Sequence, residues 1–325
     1  IEWNPWGFSL DDAQMTLDPV VLEERTFTED EYYPAASVTY MTDWWAETFQ
    51  LRLGYSETAV RPDLRELTGS SYIDPITDDL VRGNPGVVPS KVDNIDLRAE
   101  WFFGNGDNFT ITLFQKDIED PIEFFEIPAS DTTIAREILN ADSSEVRGIE
   151  IEGLKELAFL GGIFDTMFVQ GNLTLQETEL VPGNPNDPDD SGTTQVFCFE
   201  TETDGQQVKV VKNNCELSGA SEYVANFMIG FDSYDSRHTA SLIYNVFGER
   251  VFAFGRFGPD AIEQPFQSLD LTYFWYPTDR FTVKAKAQNI LGDTIEITRS
   301  EPGRKITVFE EDPGTTFSVA FSWEF

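Results

Sequence analysis

The chain has 325 residues, with 58 Asp and Glu against 22 Lys and Arg for a formal net charge of −36, and it carries 27 Phe, 10 Tyr and 7 Trp. So negative a chain has nothing left to neutralise phosphates, which excludes nucleic acid as a partner, and so aromatic a chain is no acidic disordered tail. One His and two well-separated Cys cannot assemble a His/Cys zinc centre and leave little for triad chemistry, so no catalytic residue, metal site or cofactor is expected.

No apolar run reaches the ~18 residues of a membrane-spanning helix. The opening residues, Ile1 to Trp6, carry neither a basic segment nor an apolar run, so the sequence reads as a mature chain or as part of a longer one. Period two then dominates. A first strand is expected over residues 33–42. Phe49, Leu51, Leu53 and Tyr55 alternate with polar or small residues. So do Ile95, Leu97, Ala99, Trp101 and Phe103, and later Met167, Val169, Leu173 and Leu175. The rows Tyr223 to Phe231, Leu269 to Trp275 and Phe281 to Ala287 follow. The chain closes on Phe317, Val319, Phe321, Trp323 and Phe325. About eleven strands of about ten to fifteen residues are predicted, longer than the usual globular strand and long enough to cross a bilayer at a tilt.

The connections alternate strictly. Short turns are expected at residues 43–46, 104–107, 233–236 and 277–279, with a somewhat longer one at 158–162. Long polar connections are expected at 57–92, 119–141, 180–219, 250–265 and 299–313. A sandwich has no reason to gather every long loop at one end, whereas an outer-membrane barrel has short periplasmic turns and long external loops. Trp44, Trp45, Trp101, Phe102, Phe103, Trp275 and Tyr276 flank short turns, as an interfacial aromatic girdle requires. The opposite face places Arg52, Arg98, Glu100, Glu150, Glu152, Lys284 and Lys286 in phase with small polar residues, which suits a wide, wet or plugged lumen. An all-β, antiparallel transmembrane barrel of about 11–12 strands follows. The inward direction of both first and last strands leaves an odd count, so the C-terminal half of a larger barrel is expected, its acidic residues before Tyr33 forming an external loop.

Four segments carry a family resemblance: Tyr55 to Leu67; Gly83-Asn84-Pro85 with Ser90 to Leu97; Asn140 to Glu152, with Gly148, Glu150 and Glu152 in a G-x-E-x-E strand; and Ala287 to Asp293. With the terminal aromatic alternation ending at Phe325, similar to a barrel-assembly signal, they resemble TonB-dependent outer-membrane receptors over most of the chain. The resemblance implies a barrel of about 22 strands with a plugged lumen. It also implies residence in the bacterial outer membrane among lipid and lipopolysaccharide. The activity implied is import of a scarce nutrient, a ferric siderophore, vitamin or oligosaccharide, with energy from the TonB complex. This chain shows no plug and no TonB contact segment, so both are expected upstream. A passive porin and a secreted carbohydrate-binding or adhesive β protein are the alternatives. None of the three is an enzyme.

Individual sites are weighed on that frame. Cys198 and Cys215 share one long loop, and an oxidising compartment favours a disulfide that closes a loop worth roughly 3 kcal/mol. Residues 184–192 are rich in Asn and Asp but lack EF-hand spacing, so a solvated acidic loop is expected rather than a calcium site. Glu150 and Glu152 are two apart on one strand, at roughly 7 Å on one face, rather than across a cleft as glycosidase carboxylates are. They are read as facing the lumen and plug. His238 is assigned a turn or interfacial role. Arg61 and Arg65, with Asp63 and Glu66, are expected to structure a loop, and with Phe197, Phe199 and Phe254 they are the candidate ligand contacts. Phe124, Phe125, Phe252 and Phe257 are further aromatic loop residues suited to stacking on sugars or aromatic chelates.

Overall fold

The computed structural model describes residues 8–11, 14–17, 31–74, 79–128, 134–181, 198–200, 210–212, 215–255, 259–301 and 304–325. The chain divides into two compact units, residues 1–33 and 34–325. Within the first, Phe8–Asp11 and Gln14–Leu17 pair as an antiparallel hairpin.

The second unit is built on one antiparallel sheet of eleven strands, each paired with the next along the chain. They are β1 (Ala35–Thr42), β2 (Thr48–Val60), β3 (Ser90–Phe102), β4 (Asn108–Glu119), β5 (Ser143–Glu156), β6 (Met167–Val181), β7 (Tyr223–Asp232), β8 (His238–Phe247), β9 (Phe266–Thr278), β10 (Phe281–Gln288) and β11 (Thr316–Trp323). Every alternating segment read from the sequence lies in this sheet, because period-two patterning fixes which face each side chain takes. The turns at residues 43–47, 103–107, 157–166, 233–237 and 279–280 leave one end of the sheet, and the five long connections leave the other. One boundary moves. Pro277, expected in a turn, lies inside β9 where the pairing with β10 shifts register between Trp275 and Thr278, a place that tolerates a missing N–H.

Pairing aligns side chains into rows across the sheet. Leu53, Leu97, Leu113, Ile149, Leu175 and Tyr223 form one row on the apolar face. Two residues further toward the long connections lie Tyr55, Ile95, Gln115, Arg147 and Glu177. The next row on that face is Glu57, Asp93, Asp117, Glu145 and Glu179, five carboxylates directly abreast. Tyr55 Oη donates to Glu57 and Asp93 at 2.7 and 3.0 Å, and Gln115 Nε2 donates to Asp117. Near the short turns the apolar face carries aromatic rings: Trp44 and Trp45 stack at 4.8 Å, and Trp101 touches both Phe49 and Phe109.

Four of the long connections, those at residues 61–89, 120–142, 248–265 and 289–315, carry strands of their own. They fold into a second sheet of eight strands, in the order Arg304–Glu311, Ile295–Glu301, Ala261–Glu263, Arg250–Gly255, Ile122–Pro128, Ile134–Asn140, Leu80–Arg82 and Ser71–Ile73. The apolar core of the described residues sits with this sheet. Phe125, Leu139, Ala141, Leu180, Val251 and Phe254 form one cluster, and Val81, Val87 and Ile138 another. Asn140 stitches the layers together, its Nδ2 donating to the carbonyls of Val88 and Asp120 at 2.9 and 2.8 Å while its Oδ1 accepts the Val88 N–H.

Candidate functional site

The polar face of the eleven-stranded sheet gathers charge by register. Arg52, Arg98, Thr112, Glu150 and Thr174 are abreast. One step nearer the short turns, so are Gln50, Glu100, Thr110, Glu152, Asn172, Asn226, Asn245 and Ser268. Arg98 Nε donates to Glu100 Oε1 and its Nη2 to Glu152 Oε2, both at 3.0 Å. Arg52 Nη2 lies 3.8 Å from Glu100 Oε2, an oxygen that is buried and has no hydrogen-bond partner among the described residues. The amide of Asn226 donates to Asn172 at 2.8 Å and that of Asn245 to Ser268 at 3.2 Å. Lys284 lies on the same face, its Nζ 4.9 Å from the centre of the Phe274 ring, and Lys286 stands between Thr272 and Ser318. All seven charged residues assigned to one face from the sequence therefore share it, and Arg52, Arg98, Glu100 and Glu152 form one connected cluster. Glu150 and Glu152 sit side by side along β5, so the arrangement is that of a charged wall and not of two carboxylates across a cleft.

At the other end, the long connections present a different chemistry. Arg136 is buried, with Nη2 donating to Asp74 Oδ2 at 2.7 Å and Nε 3.4 Å from Asp79 Oδ2. Its guanidinium lies 4.9 Å from the Phe252 ring centre and 5.7 Å from that of Phe124. Arg299 pairs with Glu126. Burial pushes the Glu126 carboxyl above its ordinary value, opposed by Arg299. Arg250 holds Glu263 bidentately at 2.7 and 3.0 Å. The Arg299 and Arg250 pairs cross between strands of the eight-stranded sheet, and the Arg136 pairs tie one of its strands to the bend between two others, as charge-assisted bonds between fixed partners do when they hold a loop layer in one shape.

The candidate ligand contacts fare differently. Phe254 is fully buried, stacked on Phe125 with centroids 5.3 Å apart. This corrects its reading as an exposed stacking ring: it is a core side chain of the loop sheet, and so is Phe125. Arg61 and Arg65 are exposed in the connection at residues 61–89. There Asp63 N–H donates to Glu66 Oε2 at 2.7 Å, closing a turn, and Arg65 lies 5.7 Å from the Tyr72 ring centre. Phe197, Phe257 and residues 184–192 lie outside the described residues, and for Phe199 only its strand, Cys198–Glu200, is described. Cys215 is disulfide-bonded, and Cys198 is the chain's only other cysteine. His238 opens β8, its Nδ1 2.6 Å from Tyr273 Oη. Sequence reasoning missed Arg136, Glu126, Arg299 and Glu123. Their partners lie in other loops or on strands remote in sequence, and no spacing signal brings them together.

Three comparisons bear on identity. A model of the family described as TonB dependent receptor-like, beta-barrel, matches residues 8–290. No curated protein matches. Among solved structures, a mutant of the ferric enterobactin receptor PfeA from Pseudomonas aeruginosa is 15% identical with a TM-score of 0.53, over 91% of this chain and 40% of that one. The siderophore receptor PirA from Pseudomonas aeruginosa is 13% identical with a TM-score of 0.53, over 91% and 42%. The copper transporter OprC is 14% identical with a TM-score of 0.55, over 90% and 40%. At these identities the likeness is one of fold, and the chain spans about two fifths of the length of the solved proteins it resembles. With the family pattern covering most of its length, the chain belongs to the TonB-dependent receptor β-barrel family of outer-membrane transport receptors.

Proposed function

We propose that this chain is the C-terminal part of an outer-membrane receptor that captures a scarce small nutrient and imports it with energy supplied through TonB. The observation that carries the reading is the division of the eleven-stranded sheet into an apolar face and a charged face, with every long connection at one end. The apolar face meets lipid, and the face bearing Arg52, Arg98, Glu100, Glu150, Glu152, Lys284 and Lys286 lines the lumen. A charged wall of this kind suits contact with a plug domain of the same protein, since each charge would otherwise need bulk water. The long connections form the external surface where a ligand is first met.

The similar structures are receptors for ferric enterobactin and another siderophore and a copper transporter, which favours a ferric siderophore or metal chelate over a vitamin or oligosaccharide here. The test is uptake by cells carrying the intact gene under iron limitation, with and without a functional TonB. Accumulation of radiolabelled ferric chelate that disappears without TonB is the expected result. Uptake that persists without TonB and does not saturate would instead favour a passive pore.

A further inference from the structure

Glu123 lies in the strand Ile122–Pro128 of the eight-stranded sheet and is 1% exposed. Its face of the strand is apolar: Phe125 is two residues on, and Leu139 is its cross-strand partner. Both belong to the cluster that also contains Val251 and Phe254. The carboxylate accepts hydrogen bonds from the backbone N–H and the side-chain hydroxyl of Ser218, while Oε2 is buried without a partner among the described residues.

Ser218 belongs to the return limb, residues 215–222, of the connection between β6 and β7. The limb is otherwise fastened by groups that do not titrate. Cys215 and Leu180 exchange backbone hydrogen bonds at 2.6 and 2.8 Å. The Leu217 N–H donates to Thr178 Oγ1 at 3.0 Å, the Gly219 N–H to the Val251 carbonyl at 2.8 Å, and Gln176 Nε2 to the Ser221 carbonyl at 2.9 Å. Gly219 takes a left-handed φ of 71°, so the limb bends immediately after Ser218. The charged residues of the packed elements are Glu126 on the same strand, Arg136 and Glu137 on the neighbouring strand, Arg250 on Arg250–Gly255, Glu177 and Glu179 on β6, and Glu216 and Glu222 on the limb. Burial raises the Glu123 carboxyl above its ordinary value, opposed by the two hydrogen bonds from Ser218.

We propose that Glu123 is a pH-operated fastening: protonated, it seats the bend at Ser218 and Gly219 against the loop sheet, and ionised, it releases that bend toward solvent. The physical cause is an imbalance. Two donated hydrogen bonds favour the carboxylate, but an apolar pocket penalises its charge by more, and burial pushes the group up to about 7. Released, the carboxylate regains water and its ordinary acidity, so ionisation favours the open limb. By sign, the closed form is favoured below the ordinary carboxylate range and loses that advantage progressively as pH rises toward about 7, beyond which the loss is complete.

The test is amide hydrogen exchange of the complete barrel in detergent, read on peptides covering residues 215–222 and corrected for the intrinsic pH dependence of exchange. Between about pH 6 and about pH 8.5 the opening equilibrium should rise about tenfold in the wild-type protein. In Glu123→Gln it should stay constant within about twofold. Ser218→Ala, which removes one stabilising donor from the carboxylate, should move the wild-type midpoint to higher pH, and it keeps the test decisive if Glu123→Gln does not fold. Wild-type protection that is flat across this range, or an equal loss of protection in Glu123→Gln, overturns the proposal.

Discussion

Asn289 and Asp293 hold one another across a four-residue bend. Asn289 Oδ1 accepts the Asp293 N–H at 3.2 Å, and Asn289 Nδ2 donates to the Asp293 carbonyl at 3.0 Å. The same amide reaches the Gly314 carbonyl at 3.4 Å, and the Asn289 N–H donates to Asp270 Oδ1 at 2.8 Å. The bend thus ends β10, ties it to β9, and meets the chain just before β11. Asn289 has a left-handed φ of 49°, a conformation Asn tolerates better than most residues because its short amide bonds locally. Asn289→Ala loses both advantages and is expected to destabilise the barrel by about 2–4 kcal/mol. Asn289→Gly, which keeps the backbone freedom, should recover part of that. Thermal unfolding in detergent ranks the three proteins.

Gly83 is required by backbone on all sides. A Cβ there would stand 2.2 Å from the Thr68 carbonyl oxygen, 2.3 Å from that of Arg65 and 2.9 Å from that of Glu66. No flexible side chain is available to yield, so Gly83→Ala should cost about 2–3 kcal/mol of local stability. Limited proteolysis should then cut residues 61–89 faster while the eleven-stranded sheet stays protected.

Asp107 supplies a pH-dependent lock at a short turn. It is buried, pairs with Lys155 and accepts the Glu156 N–H at 2.7 Å. Burial pushes its carboxyl up, but the Lys155 hydrogen bond, with the Glu156 amide, outweighs this and holds it below the ordinary range. Its stabilisation is therefore fully present above about pH 4 and is lost as pH falls through the lower folded-state value. Asp107→Asn should be less stable than wild type by about 1.5–3 kcal/mol at neutral pH, with the gap closing in acid. Paired melting curves across that range check the sign.

The two faces of β11 make opposite predictions. Val319 lies on the apolar face with Phe317, Phe321 and Trp323, and Ser318 lies on the other. Val319→Arg should cost about 2–4 kcal/mol in a bilayer, whereas Ser318→Arg should be tolerated. Deleting Phe325, or replacing it with a polar residue, should lower the amount of assembled protein in the outer membrane several-fold. Surface labelling and heat-modifiability gels distinguish lost assembly from lost expression.

Most of the membrane sheet was legible because each strand is long enough for alternation to repeat four or five times. Phe49 to Tyr55 and Ile95 to Phe103 show it without ambiguity. The loop layer was not legible for the converse reason. Ser71–Ile73, Leu80–Arg82 and Ala261–Glu263 are three residues each, too short to display a period, and the pairings that join one connection to another, such as Leu80–Arg82 with Ile134–Asn140, are remote in sequence. Phe254 was misplaced accordingly: in a connection that continues into Gly255 and Arg256 it reads as an exposed loop aromatic, and only the parallel pairing of Phe125 with Phe254 reveals that two loops share a core. The charged face was legible residue by residue. The bridge from Arg98 to Glu152 was not, because it depends on the register between β3, β4 and β5.

The five abreast carboxylates from Glu57 to Glu179 bring a further consequence. Neighbouring strands stand about 4.8 Å apart, so pairing fixes a line of like charges at a spacing well inside the ~8 Å screening length of physiological salt. Directly opposed like charges weaken a sheet, and the register that satisfies the apolar rows leaves these groups no freedom to separate. Arg147 approaches Glu145 at 3.9 Å, and mobile cations gathering along the line would ease the remaining repulsion. Part of the chain's acidity is thereby converted into a dependence on the surrounding electrolyte: this sheet should hold together better in brine than in fresh water.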